Sequence, residues 1–131
     1  MKVAVDTNVL VRAVVGDDAK QSKAAAKVLT TASLVAVALP CLCEFVWVLR
    51  RVYALSNEDV ALAIRTLLAA KNVQTNRPAA EAGLALMEAG GDFADDAIAY
   101  EGYWLGGENF VSFDKQAVAL LNASGQSARL L

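Results

Sequence analysis

The chain has 131 residues, 56% hydrophobic and 20% charged, with a formal net charge of −2. That length and apolar content suit a single domain over residues 1–131 with a substantial core, and they exclude a disordered chain. The sequence contains no histidine, which removes Ser-His-Asp and Cys-His catalysis, His-ligated zinc and an imidazole pH switch.

Residues 2–5 read as a short buried strand ending at Asp6. Thr7 onward predicts a short helix stopping at Gly16, and Asp17 or Asp18 caps a second helix running to about Thr30. The small and β-branched run Leu34 to Leu39 predicts a second strand closed by Pro40. From Leu42 to about Tyr53, the spacing of Leu42, Phe45, Val46 and Leu49 is helical. Ser56 with Asp59 resembles a capping box and predicts a helix from Asn57 to about Ala70. Asn72 to Thr75 is a short third strand, and Pro78 opens a helix ending at Gly90-Gly91. Asp92 or its neighbours start another helix that ends near Gly106-Gly107. Asn109 to Ser112 is a fourth strand, Asp114 begins a helix to about Asn122, and Ala128 to Leu131 is either a fifth strand or a tail. Alternating strands and helices imply a parallel α/β sheet with helices on both faces.

Cys41 and Cys43 lie two residues apart, which is neither a zinc nor a thioredoxin spacing, and a bridge across one residue would be strained. They read as reduced residues of a cytoplasmic protein. The start Met-Lys-Val-Ala-Val is interrupted by Asp6 before any signal-type apolar region forms, and the uncharged stretch from Val28 to Cys43 is too short to span a membrane and contains Pro40. A soluble protein with no membrane partner is expected.

Four acids then stand out: Asp6, Glu44, Asp95 and Asp114. Each lies in an apolar segment, after a strand or in the first turn of a helix. In open parallel sheets, sites lie beyond the carboxyl ends of the strands. Carboxylates gathered there repel one another unless a cation sits among them, and hard oxygen ligands suit Mg²⁺ or Mn²⁺. Such ions make phosphodiester hydrolysis possible without histidine or a protein nucleophile. Taken singly, each acid also fits an ordinary role as a turn residue, a helix start or an N-cap.

The ordered segments Asp6-Thr-Asn-Val-Leu, Glu44 after Pro40, Asp92-Phe-Ala-Asp95 and Ser112-Phe-Asp114-Lys115 resemble the motifs of PIN-domain ribonucleases. The resemblance covers essentially the whole chain and is nearest to the toxins of VapBC toxin–antitoxin pairs. It implies a three-layer α/β/α fold with a central parallel sheet of four to five strands, and an endoribonuclease dependent on Mg²⁺ or Mn²⁺. Asp6, Glu44, Asp95 and Asp114 would be both catalytic and metal-holding, supported by Thr7, Asn8 and Ser112. It also implies an RNA substrate, a VapB-type antitoxin whose tail occludes the acidic cleft, and a homodimer within a higher toxin–antitoxin assembly. Successive helix positions point about 100° apart, so Asp95 and Asp96 cannot serve a metal equally. The motif favours Asp95, with Asp92 as a cap or supporting group, and Ser112 keeps the hydroxyl of the usual threonine.

Arg12 either contacts phosphate or the acidic cleft, or forms a surface ion pair. Lys20, Lys23 and Lys27 make a helical stripe that reads first as a solvated face, and Arg50, Arg51 and Lys115 are similarly open to an RNA role. Trp47, Tyr53, Tyr100, Tyr103 and Trp104 are expected in the core, or on a partner face. Two other functions compete. One is a phosphatase-like α/β hydrolase with Asp6 as nucleophile, against which stands Asn8 where a second acid belongs. The other is a non-catalytic interaction module of the same fold.

Overall fold

The computed structural model describes residues 1–131. Its elements follow the expected alternation, and every strand pair is parallel, giving an α/β fold. No helix is long and apolar enough to cross a membrane. The chain divides into two compact units, Met1–Asn76 and Arg77–Leu131.

The first unit is built on strands β1 (Lys2–Ala4), β2 (Leu34–Val37) and β3 (Val73–Thr75), hydrogen-bonded in that order. The register pairs Val3 with Val35 and Ala36 with Gln74. Helices α1 (Thr7–Val14) and α2 (Ala19–Thr31) connect β1 to β2, while α3 (Leu39–Arg51) and α4 (Asn57–Ala69) connect β2 to β3. Two expected caps form here: Asp18 accepts from the Gln21 backbone N–H at 3.0 Å, and Ser56 from that of Asp59 at 3.1 Å. The apolar stripe of α3 buries Leu42, Phe45, Val46 and Leu49, the four residues whose spacing indicated the helix.

One boundary differs. The run Leu34 to Leu39 is not all strand, because β2 ends at Val37 and Leu39 already belongs to α3. Pro40 sits in the first turn, where its missing N–H and fixed φ are favourable. It opens the helix instead of closing the strand. Glu44 consequently lies one turn deeper than the expected first-turn position, and the first turn of α3 carries no acid.

In the second unit, α5 (Arg77–Glu88) and α6 (Phe93–Trp104) are followed by β4 (Phe110–Ser112), α7 (Lys115–Ala123) and β5 (Ala128–Leu130). The strands are paired as three and two, β4 with β5 alone, and not as one ladder of four or five. Gly90 ends α5 at φ 98°, where the N–H groups of Gly90 and Gly91 bond to the Met87 and Leu86 carbonyls at 3.0 and 2.9 Å. Close passage of α5 against α6 depends on Gly83, where an added Cβ would lie 2.6 Å from the Phe93 ring. Leu86, Ala99 and Leu121 form a buried cluster with Tyr103 packed against it, and the Tyr103 hydroxyl donates to the Ser127 carbonyl at 2.6 Å. The tryptophans do not follow the core expectation: Trp47 is 57% exposed and Trp104 76%.

Candidate functional site

In the first unit, β1 delivers Asp6 to its carboxyl end. Asp6 is solvent-exposed and caps α1, its Oδ1 accepting from the Thr7 N–H at 2.7 Å. Thr7 is buried and donates its hydroxyl to Cys41 Sγ at 3.7 Å, while the Cys41 thiol donates to the Val5 carbonyl at 3.7 Å. These contacts tie the end of β1 to the first turn of α3. Burial pushes the Cys41 thiol upward, the Thr7 hydroxyl opposes that, and the charges of Asp6 and Glu44 add to the rise. Both carboxylates therefore act on one sulfur, so the fold brings Asp6 and Glu44 into a shared neighbourhood. Glu44 itself is exposed on α3.

Arg12 forms the surface ion pair. Its Nη1 lies 2.8 Å from Asp17 Oδ1 and donates to the Tyr53 hydroxyl at 3.1 Å, and its Nε donates to Gln21 Oε1 at 2.8 Å. The Tyr53 hydroxyl donates to Asp17 Oδ2 at 3.0 Å, closing the network. Tyr53 first, then Arg12, hold the Asp17 carboxyl below its ordinary range. Asn8 is exposed and shares with Arg12 and Gln21 the lining of a cavity of about 380 Å³. Lys20, Lys23, Lys27, Arg50 and Arg51 are all exposed.

In the second unit, Asp92 caps α6, its Oδ1 accepting from the Ala94 N–H at 3.0 Å. Asp95 follows in the first turn and is half-buried. Loss of solvent pushes its carboxyl above the ordinary range, and the charges of Asp92 and Asp114 push it further. Asp114 caps α7 with one oxygen, Oδ1, which accepts from the N–H groups of Gln116 and Ala117 at 3.0 and 3.1 Å. Ser112 Oγ accepts from the Asp114 N–H at 3.0 Å, which fixes the backbone that presents the acid. Lys115 is exposed beside it.

Asp96 departs from this pattern. It is 1% exposed, and its Oδ1 accepts from Gln126 Nε2 at 2.8 Å. Its partner is 30 residues downstream, and no local signal in the sequence marks the pair. The same holds for the Tyr53 contact to Arg12 and the Thr7–Cys41 contact.

Within neither unit do three or more His, Cys, Asp or Glu side chains gather closely enough to hold a metal ion on their own. The donor chemistry of the four acids nonetheless suits a hard divalent cation. At Asp95 the ionised form is disfavoured first by burial and then by like charge from Asp92 and Asp114; a cation would relieve the second of these. Asp114 and Asp6 each commit only Oδ1 to the adjoining helix cap.

Among known proteins, the PIN domain family matches residues 3–120. A search of curated proteins returns no match. PIN is in general a nuclease fold, typically metal-dependent, and its span here includes all four acids. The parallel α/β architecture and this match agree, and the chain belongs to the PIN domain family.

Proposed function

We propose that residues 1–131 act as one PIN domain that hydrolyses RNA phosphodiester bonds internally, as the toxin of a type II toxin–antitoxin pair in the cytoplasm. The observation that carries this reading is the family match over residues 3–120 together with the acids inside it. Asp6 and Glu44 act on a common neighbour, and Asp95 senses Asp92 and Asp114.

In this reading Asp6, Glu44, Asp95 and Asp114 hold Mg²⁺ or Mn²⁺. When bound, the ion supplies charge neutralisation for the phosphate and acidifies water for attack. The other residues support the acids. Thr7 fixes one oxygen of Asp6 through its N–H, Ser112 fixes the Asp114 backbone, and Asp92 sets the start of the helix carrying Asp95. Asn8 and Arg12 belong to α1 and line the same cavity. Arg12, held by Asp17, Gln21 and Tyr53, keeps a cation near that surface. Exposed Trp47 and Trp104 are of the amphipathic aromatic type enriched at interfaces, in keeping with a homodimer and a VapB-type antitoxin as partners.

The test is cleavage of a generic single-stranded RNA by the purified chain. Internal cleavage with Mn²⁺ and none with a chelator is expected. Cleavage that persists unchanged in the chelator, or no cleavage of any RNA with Mn²⁺, contradicts the reading.

A further inference from the structure

A cavity of about 300 Å³ in the second unit is lined by Ala85 of α5, Ala89 just beyond it, Ala123 at the end of α7, and the polar residues Asp96, Ser124 and Gln126. Asp96 is 1% exposed, and its Oδ2 is buried with no hydrogen-bond partner. Buried carboxylate oxygens are nearly always satisfied, because leaving one unpaired forfeits its hydration.

The neighbouring polar groups have no donor to spare. Gln126 Nε2 carries two protons; it donates to Asp96 Oδ1 at 2.8 Å and to Ser124 Oγ at 3.3 Å. The Ser124 hydroxyl spends its single proton on the Leu121 carbonyl at 2.8 Å. No lysine or arginine of the chain pairs with Asp96. A partner for Oδ2 must therefore come from outside, must donate, and is favoured if positive. The alanine walls supply apolar surface for an aliphatic stem.

We propose that this cavity binds a cationic donor on a short aliphatic stem, an alkylguanidinium or alkylammonium, with Asp96 as its anion. The head reaches Asp96 while the stem lies along the alanines. The site does not depend on the nuclease reading, because Asp96 is not among the four acids assigned to metal.

The test is titration of the full chain with n-butylguanidinium, followed by NMR through the Gln126 side-chain amide and the Ala123 backbone amide. Saturable shifts at both are expected, with n-butanol binding at least ~10-fold more weakly at matched ionic strength. Asp96→Asn is expected to weaken binding by at least ~10-fold by removing the charge. Ala85→Leu, on an exposed position of α5, is expected to do the same by filling the cavity, and it carries the test should the first variant fail to fold. Parallel titrations with putrescine and with the peptide Gly-Arg-Gly identify the source: tighter binding of the diamine points to a free amine, and of the peptide to a side chain presented by a polypeptide. Absence of saturable shifts with n-butylguanidinium, equal binding of n-butanol, or unchanged affinity in both variants overturns the site.

Discussion

Asp95 and Asp96 are consecutive in α6, yet their carboxyl groups answer to different neighbours. Asp95 is half-buried and repelled by Asp92 and Asp114, whereas Asp96 is buried and bonded to Gln126 at 2.8 Å. The rotation of about 100° per helical residue produces this separation. Asp95→Asn is therefore expected to lose at least ~100-fold in RNA cleavage, about 2.7 kcal/mol of transition-state stabilisation, while Asp96→Asn retains a substantial fraction. Cleavage rates with excess Mn²⁺, on variants whose circular dichroism matches wild type, make the comparison. The reverse ranking would place the catalytic face of α6 one residue away.

The same two residues determine a pH dependence. Burial is the first cause holding each carboxyl above its ordinary value; Asp92 and Asp114 add to it at Asp95, and the Gln126 amide opposes it at Asp96. The folded state thus disfavours the charged forms. The unfolded chain ionises first, near the usual value of about 3.9, so each acid takes stability away as pH rises from there through its raised folded value. Asp96→Asn removes one such group. In metal-free buffer it is expected to melt above wild type at neutral pH, with the advantage fading as pH falls from the raised folded value to the unfolded one and gone below it. Thermal melts across that range provide the check. An advantage that grows toward acid would reverse the sign.

Asp6→Asn tests function with little structural disturbance. Asparagine caps helices about as well as aspartate, so the bond from the Thr7 N–H survives. The variant is expected to lose metal-dependent cleavage while its melting temperature stays close to that of wild type. Undiminished cleavage by a folded Asp6→Asn protein would remove Asp6 from the mechanism.

Gly83→Ala tests the packing that positions α6. The new methyl would lie 2.6 Å from Phe93 Cε2, and Phe93 is 1% exposed, so the ring has little room to yield. Overpacking of this kind costs roughly 1–3 kcal/mol. Urea denaturation of wild type and variant measures it, and stability at or above wild type would contradict the close approach of α5 and α6.

Local chemistry made most of the fold legible. Ser56 and Asp114 are helix caps in the sequence and in the structure, and the structure selects Asp18 over Asp17 and Asp92 over its neighbours, because a cap is a contact across two or three residues. The sequence does not settle Leu39 and Pro40, because an apolar run before proline suits a strand end and a helix start alike. The pairing of strands as three and two was not legible, since register depends on partners far along the chain. Among site residues, the setting of Asp114 follows from its own cap and Ser112. The burial of Asp96 depends on Gln126, and the shared neighbourhood of Asp6 and Glu44 depends on Cys41 and Thr7. Neither the burial of Asp96 nor the neighbourhood of Asp6 and Glu44 is a periodic or short-range signal.

Calorimetric titration with Mn²⁺ reads whether Asp6, Glu44, Asp95 and Asp114 hold a divalent metal as proposed. Wild type is expected to bind Mn²⁺ saturably, and Glu44→Gln and Asp114→Asn to bind it at least ~10-fold more weakly. Asparagine at 114 still accepts from the Gln116 and Ala117 N–H groups, and glutamine at 44 keeps an exposed helical position, so loss of fold would not explain a loss of affinity. Wild-type affinity in both variants, or no saturable heat from the wild-type protein, would contradict the account.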